Sequence, residues 1–279
     1  MRIIENLPPA KAWEGIVTDP FTQRSTKPRQ CGFTMVIDKG LGLLETESLL
    51  ELAGDYIDYI KLAFGTSALY DRALLAKKIM LIRSYNVDVY PGGTFLEVAM
   101  LQGRLERFVA HTVDLGFTAL EVSDGTITLS MEKRKRAILT GIGAGLKVIT
   151  EVGKKDSSIK PPLAHLRDQI GHDLGMGASH VIVEGRESGK GVGVYDSNGG
   201  VIFVDIEELL ANLADTNAIV WETPLKNQQE SMIARFGPDV NLGNIPPQEI
   251  LAVESLRRGL RGDTLRIYLE RMSHQPVGV

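Results

Sequence analysis

Four glutamates, Glu121, Glu151, Glu184 and Glu222, each follow directly on a short run of apolar and β-branched residues. Such a run predicts a buried strand, so we expect each carboxylate to lie at a strand end, before the chain returns to solvent. Unpaired carboxylates at that depth are costly and need a metal ion or a cationic partner. Oxygen ligands that face one another suit a hard divalent cation such as Mg²⁺.

Positively charged residues occur at the same predicted strand ends. Lys61 ends the second run, Lys154 and Lys155 follow the fifth, and Arg186 follows the sixth. These residues could bind anionic groups of a substrate. They could equally form an ionic network with the glutamates that needs no metal, and the sequence alone favours neither interpretation.

Further polar or flexible residues follow other runs: Asp38-Lys39 after the first, Gly92-Gly93 after the third, and Asn241 with Asn244 at the eighth. The segment GRESGKG, residues 185–191, lacks the spacing of a phosphate-binding loop, since three residues rather than four separate its first two glycines. Its glycines and cations still predict a loop whose backbone N–H groups could approach an anion.

The apolar runs alternate with segments that have the apolar spacing of helices. The predicted strands are 33–38, 56–62, 87–93, 118–125, 146–153, 179–185, 217–222 and 239–245, and the predicted helices include 46–57, 71–84, 94–116, 130–145, 207–216 and 246–260. Eight strands joined by helices imply parallel pairing. The pattern and its length favour an α/β fold, a (β/α)8 TIM barrel, over a doubly wound open sheet. All strand ends would then converge on one face, where such barrels have their active sites.

The composition limits the class of protein. The chain has 279 residues, a net charge of −4 and no basic block, which argues against a nucleic-acid partner. Cys31 is its only cysteine, so no internal disulfide can form. No apolar run approaches the roughly 20 residues that span a bilayer, and the N-terminus does not have the pattern of a signal peptide. We expect a soluble cytoplasmic protein with an N-terminal extended arm (1–30), a barrel (31–270) and a C-terminal tail (271–279).

Several longer motifs resemble those of one known family. They are GFTMVIDKGL (32–41), VYPGGT (89–94), EVSDGTI (121–127), TEVGKK (150–155), VIVEGRESGKGVG (181–193), FGPDVNLGNI (236–245) and LRRGLRGDT (256–264). Over most of residues 32–265 the chain resembles the phosphosulfolactate synthase family, barrel enzymes associated with coenzyme M biosynthesis. One departure is KLAFGTS at 61–67, where the family usually has KFGWGTS; Lys61, Gly65 and Thr66 are kept.

The resemblance implies a carbon–sulfur lyase that adds sulfite to phosphoenolpyruvate, with Mg²⁺, to give (2R)-2-phospho-3-sulfolactate. It assigns the general acid to Lys155, with Lys154 as the alternative, and we expect crowding by other cations to lower the pKa of that lysine. The preferred metal ligands are Glu121, Glu151 and Glu184, before Glu222.

The remaining assignments concern anion binding. By analogy with other barrels, we expect the phosphate to be bound after strands seven and eight. The predicted substrate-binding residues are Asp38, Lys39, Lys61, Gly92, Gly93, Arg186, Asn241, Gly243 and Asn244. The partners would be small anions, with a possible homo-oligomer. The alternatives are another phosphoenolpyruvate or enolate lyase, a Schiff-base aldolase, and a non-catalytic, stress-associated barrel of the same family.

Overall fold

The computed structural model describes residues 11–21 and 24–273, and the side chains among them up to residue 270. Its strands are β1 Thr34–Asp38, β2 Tyr59–Leu62, β3 Asp88–Pro91, β4 Ala119–Val122, β5 Lys147–Val152, β6 His180–Val183, β7 Ile219–Glu222 and β8 Asn241–Ile245. Its helices are α1 Leu43–Ala53, α2 Arg72–Ser84, α3 Gly93–Leu101, α4 Leu105–Asp114, α5 Met131–Gly143, α6 Leu163–Gly175, α7 Phe203–Leu210, α8 Lys226–Phe236, α9 Ile250–Arg257 and α10 Gly262–Ser273.

The eight strands form one parallel sheet in the order β3-β2-β1-β8-β7-β6-β5-β4. The two edge strands, β3 and β4, approach each other, and the Thr118 N–H donates to the Val89 carbonyl at 3.1 Å. The sheet is therefore a nearly closed barrel with helices between its strands. The prediction of a (β/α)8 TIM barrel is confirmed, and the open-sheet alternative is wrong.

The barrel interior is filled below its carboxyl-terminal mouth. Eight buried side chains pack there: Phe33, Met35, Tyr59, Tyr90, Ala119, Ile149, Ile182 and Val220. A larger apolar cluster packs the outer faces of most strands against the helices. Because both faces of each strand are covered, the strands read as continuous apolar runs in the sequence.

The predicted elements differ from the observed ones in one important place. The segment 94–116, predicted as a single helix, is two helices, α3 and α4, separated at Gly103. Gly103 has a φ of 65°, a left-handed conformation that ends α3. Ser130 caps α5, since its hydroxyl accepts from the Lys133 N–H at 3.3 Å.

The segment that precedes β1 is tied to the barrel by buried ion pairs. Arg29 Nη1 lies 2.9 Å from Asp58 Oδ1, and Arg24 contacts both Asp239 and Glu254 at 3.1 Å. The proposed limits of the arm and tail stay predictions, since residues 1–10, 22–23 and 274–279 lie outside the described part of the chain. Within the described part, no helix combines the length and apolar character needed to cross a membrane.

Candidate active site

The four glutamates converge at the mouth of the barrel because of the two-residue period of a strand. Each lies two positions after an apolar residue of the barrel interior: Glu121 after Ala119, Glu151 after Ile149, Glu184 after Ile182 and Glu222 after Val220. Side chains two residues apart share a face, so the carboxylates form the next interior layer towards the mouth. All four residues are at most 2% exposed.

Lys61 lies in the same layer, two residues after Tyr59 on β2. Its Nζ is 3.0 Å from Glu121 Oε2, 3.2 Å from Glu222 Oε1 and 3.5 Å from Glu151 Oε2. Burial opposes its charge, but these carboxylates raise the pKa of Lys61 well above its usual value. Lys61 is therefore a permanent cation that holds three carboxylates together.

Lys154 and Lys155 point to different surroundings. Lys155 Nζ donates to Thr94 Oγ1 at 3.0 Å and Glu151 Oε1 at 3.1 Å, and lies 3.7 Å from Glu184 Oε2. Lys154 Nζ instead donates to the carbonyls of Asp124 at 2.5 Å and Ile127 at 3.0 Å. Of these two lysines, only Lys155 therefore faces the glutamates of the layer.

The predicted direction of the Lys155 pKa is wrong. Burial would lower this pKa, but the charges of Glu151 and Glu184 outweigh both burial and the repulsion from Lys61, so the pKa is raised. The prediction failed because it counted the neighbouring cations and not the carboxylates, which are closer. Lys155 is protonated at neutral pH.

The carboxyl groups have very different proton affinities. Burial and repulsion from Glu151 raise the pKa of Glu121 to about 7. Burial would also raise the pKa of Glu151, but Lys155 and Lys61 lower it to about 2. Burial, with repulsion from Glu151 and Glu222, raises the pKa of Glu184 well above its usual value. Such divergent values in one layer are typical of functional sites.

Three of the four glutamates could hold a metal ion. Glu151, Glu184 and Glu222 each offer an oxygen within 4.8 Å of the other two. Glu121 lies outside this group; its Oε1 accepts from the Gly93 N–H at 2.7 Å and its Oε2 faces Lys61, much as Glu222 Oε2 accepts from the Gly185 N–H at 2.9 Å and its Oε1 faces Lys61. The geometry thus groups Glu222, rather than the preferred Glu121, with the other two.

The charge of the layer also fits a divalent cation. If all four glutamates are ionised, Lys61 and Lys155 compensate only two of the four negative charges. In addition, the buried Oε2 of Glu184 has no hydrogen-bond partner. A divalent cation would balance the remaining charge and supply the missing contact.

A cavity of about 320 Å³ opens above this layer. Its lining includes Thr94, Arg186 and Asn244. Arg186 is exposed, and its guanidinium makes no hydrogen bond or ion pair with the described residues. Asn244 is 3% exposed, and its Oδ1 has no partner. Both side chains are thus available to a ligand.

A larger cavity of about 830 Å³ lies at the opposite end of the barrel, where its lining includes Asp58, His180 and Asn217. These residues lie at or before the starts of their strands. The size of that cavity does not make it the active site, because the carboxylate layer and the lysines are at the other end.

The prediction that Asn241 binds phosphate at the mouth is wrong. Asn241 is the first residue of β8, so it lies at the amino-terminal end of the strands, opposite the mouth. Its Oδ1 accepts from the Phe33 N–H at 2.9 Å, and its Nδ2 donates to the carbonyls of Asn217 and Ile219. Gly243 lies within β8, where a side chain would collide with Met35. Of the three predicted residues on this strand, only Asn244 lines the cavity.

The other predicted substrate-binding residues have mixed surroundings. Asp38 pairs with the buried Lys78 at 2.5 Å and accepts from the N–H groups of Gly40 and Leu41, so its carboxylate fixes the loop after β1. Lys39 is about half exposed and pairs with Glu187 of the 185–191 loop.

Gly92 and Gly93 line the cavity at the start of α3. A Cβ at Gly93 would lie 2.5 Å from Glu121 Oε1, so only glycine lets the backbone of α3 approach this carboxylate.

Sequence reasoning missed four residues that support the site. Thr94 contacts Lys155, Glu97 and Ser123 form a buried hydrogen bond of 2.6 Å, and Arg134 donates to the Glu151 carbonyl at 3.0 Å. Thr94 could have been suspected because it follows two glycines. The others lie on helices or in a loop, and their periodicity matches that of ordinary helix residues.

Comparison with known proteins gives a family match. A family model described as (2R)-phospho-3-sulfolactate synthase (ComA) matches residues 22–263. A phosphosulfolactate synthase from Methanothermobacter thermautotrophicus is 44% identical over 245 residues, covering 87% of this chain and 94% of the relative. A phosphosulfolactate synthase from Methanocaldococcus jannaschii is 44% identical over 237 residues, covering 84% of this chain and 94% of the relative.

Solved structures show the fold alone. The structure of DHDPS from Cyanidioschyzon merolae with lysine bound has a TM-score of 0.53 at 11% identity. The match covers 88% of this chain and 82% of that chain. At this identity the likeness carries no statement about substrate or mechanism.

Proposed function

The chain belongs to the (2R)-phospho-3-sulfolactate synthase (ComA) family, and from this membership we propose that it catalyses Mg²⁺-dependent addition of sulfite to phosphoenolpyruvate. The product would be (2R)-2-phospho-3-sulfolactate. The observation that carries the proposal is the buried layer of four glutamates with Lys61 and Lys155 at the barrel mouth. A reaction that gathers phosphate, carboxylate and sulfite needs cations, and this layer offers Lys61, Lys155 and glutamates that could hold a divalent cation.

Glu151, Glu184 and Glu222 would hold the cation, which suits oxygen ligands. When bound, Mg²⁺ would act as a Lewis acid that stabilises negative charge on the substrate carboxylate. Lys61 keeps Glu151 and Glu222 oriented towards one another, and Glu121 keeps the start of α3 against the site.

Lys155 would supply the proton. The sulfur lone pair of sulfite forms a bond to the methylene carbon, and the electron pair of the double bond moves towards the carbon that carries the phosphate. That carbon then takes a proton from Lys155 Nζ, and solvent reprotonates the amine. Thr94 and Glu151 orient this Nζ by direct hydrogen bonds.

The raised pKa of Lys155 keeps the proton in place before reaction but makes the lysine a weak acid. Neutralising Glu151 and Glu184 with a cation would remove part of the field that raises this pKa. Metal binding and proton donation would thus be coupled through the same two carboxylates.

Arg186 would bind the anionic groups of the substrate, and Asn244 could join it only through the N–H groups of its Nδ2, since its Oδ1 is an acceptor. The guanidinium of Arg186 is suited to a phosphate, since its N–H groups match phosphate oxygens in pairs. Lys39 would bind the same anionic groups at the edge of the cavity once its ion pair with Glu187 is broken.

A Schiff-base aldolase is disfavoured by the same electrostatics. Such an enzyme needs a neutral lysine amine, which usually requires a lowered pKa. The pKa values of both Lys61 and Lys155 are raised by nearby carboxylates.

The test is consumption of sulfite and phosphoenolpyruvate by the purified protein, followed by ³¹P NMR of the product, with Mg²⁺ or with EDTA. We expect one new phosphate-ester signal, dependent on both substrates and on the metal. If phosphoenolpyruvate reacts only with a different nucleophile, the protein is another lyase of this fold. If nothing reacts under any of these conditions, the proposal is wrong.

A further inference from the structure

The loop between β4 and α5, residues 123–130, holds Lys155 at the site. The Lys155 N–H donates to the Gly125 carbonyl at 3.0 Å. A Cβ at Gly125 would lie 3.1 Å from Lys155 Cγ and 3.3 Å from Lys155 Cε, so the lysine side chain passes directly over this glycine. Lys154 binds the same loop through the carbonyls of Asp124 and Ile127. The position of the Lys155 amine therefore depends on the position of this loop.

This loop is itself fixed by Glu97 of α3. Glu97 Oε1 accepts from the Ser123 hydroxyl at 2.6 Å, and Oε2 accepts from the N–H groups of Thr126 at 3.0 Å and Ile127 at 2.9 Å. Glu97 is 1% exposed. Within the described part of the chain it forms no ion pair, so neutral donors alone compensate its buried carboxyl group.

A carboxyl group is well suited to this task. Its two oxygens accept three hydrogen bonds, two of them from the consecutive backbone N–H groups of Thr126 and Ile127. A buried polar group is costly, and apolar side chains would pack α3 equally well. The carboxyl group of Glu97 therefore fixes the loop, which an apolar side chain could not do.

A second buried side chain reinforces the same connection from α5. Arg134 donates to Asp124 Oδ1 at 3.1 Å and to the Glu151 carbonyl at 3.0 Å, and it pairs with Asp173 at 2.5 Å. It thus ties the loop to the strand that carries Glu151. The loop is held on one side by Glu97 and on the other by Arg134.

We propose that Glu97 is a positioning residue for proton transfer: it fixes the β4–α5 loop, and the loop places the Lys155 amine against Thr94 and Glu151. The inference rests on the proposed role of Lys155. Glu97 is neither one of the residues that line the cavity nor one of the three glutamates that could hold a metal ion, so its effect should be on turnover and not on binding.

The test compares Glu97→Gln with Glu106→Gln, a matched change at an exposed residue of α4. The amide keeps the size of the side chain, but its one remaining oxygen is a weaker acceptor for the two loop N–H groups than a carboxylate oxygen, and its NH2 group cannot accept from the Ser123 hydroxyl. We expect kcat to fall about 10- to 100-fold with KM for phosphoenolpyruvate within about threefold of wild type. Glu106→Gln should change neither.

Hydrogen exchange supplies a readout that does not need activity. In Glu97→Gln, amides of residues 123–127 and also of 153–158 should exchange faster, because the second segment is held by the first. Ser123→Ala removes only one of the three hydrogen bonds and keeps the proposal testable if Glu97→Gln folds poorly; it should give smaller changes of the same kind.

Two outcomes have distinct meanings. If residues 153–158 exchange at the wild-type rate and kcat is unchanged in both variants, Glu97 has no positioning role. If wild-type protein adds no sulfite to phosphoenolpyruvate, the proposed function fails, and the exchange data alone decide whether Glu97 holds the Lys155 segment.

Discussion

Replacing Lys61 with methionine should destabilise the metal-free protein strongly. Methionine keeps most of the side-chain volume but removes the cation that lies 3.0–3.5 Å from Glu121, Glu222 and Glu151. Only Lys155 would remain to compensate four buried carboxylates. The cost comes from uncompensated charge and not from a cavity.

The magnitude follows from the burial of the partners. Removing one partner of a buried ion pair costs about 3–5 kcal/mol, because the other charge remains buried. In a protein of this size, that corresponds to a fall in Tm of about 6–15 °C. The loss is limited by the ability of the glutamates to take up protons.

That protonation makes the loss depend on pH. The pKa of Glu121 is already about 7, through burial and repulsion from Glu151, and it would rise further without Lys61. Above a pH of about 4.5 the unfolded state releases this proton while the folded state keeps it, so folding becomes less favourable as pH rises. The deficit of Lys61→Met should therefore be larger at pH 8 than at pH 5.5.

The assay is urea unfolding of wild type and Lys61→Met in EDTA at both pH values. Lys135→Met is the control, because Lys135 is exposed on α5; it should change the free energy of unfolding by at most about 0.5 kcal/mol. Equal stability of Lys61→Met and wild type at pH 8 would refute the reasoning. So would a deficit that is the same at pH 8 and pH 5.5.

Three further predictions concern single side chains. Lys155→Ala should lower kcat by about 10²- to 10⁴-fold, the usual contribution of a general acid, and leave the circular dichroism spectrum unchanged. It should not weaken metal binding, because Glu151 and Glu184 lose a competing cation; near-normal turnover would remove Lys155 from the mechanism. Glu222→Gln should weaken Mg²⁺ binding in calorimetry at least tenfold more than Glu121→Gln, and the reverse order would mean that Glu121 is the ligand. Burial, with the charge of Lys147, lowers the pKa of His180 to about 4, so the unfolded state binds more protons than the folded state below pH 6.5. Wild type should therefore lose up to about 3 kcal/mol of stability between pH 6.5 and 4. His180→Phe should lose less over this range in urea unfolding, and equal losses in both proteins would contradict the assignment.

Much of the fold could be predicted because barrel strands are short, apolar and regularly separated by helices. All eight strands were located, with observed bounds inside the predicted ones. The break between α3 and α4 was missed because Gly103 lies within an otherwise continuous helical pattern. The positions of Glu121, Glu151, Glu184 and Glu222 directly after apolar runs also identified them as neighbours at the barrel mouth.

The sequence could not distinguish residues that differ only in direction or depth. Asn241 and Asn244 belong to the same strand, yet Asn241 lies at its amino-terminal end and Asn244 lines the cavity above the glutamates. Lys154 and Lys155 are adjacent, yet only one faces the carboxylates. The alternation along a strand predicts which residues share a face of the sheet. The depth of a residue along the barrel axis depends instead on where the strand begins.

By itself, the amino-acid sequence determined the barrel, the family and the set of charged residues at the mouth, because these depend on local periodicity and on motifs. Only the tertiary structure decided which charges meet. The pKa of Lys155 is raised rather than lowered because Glu151 and Glu184 approach it from two strands, and Glu97 reaches the site through a loop from a separate helix. Such contacts join residues far apart in the chain, and electrostatic energies depend on their distances and burial, which no local pattern encodes.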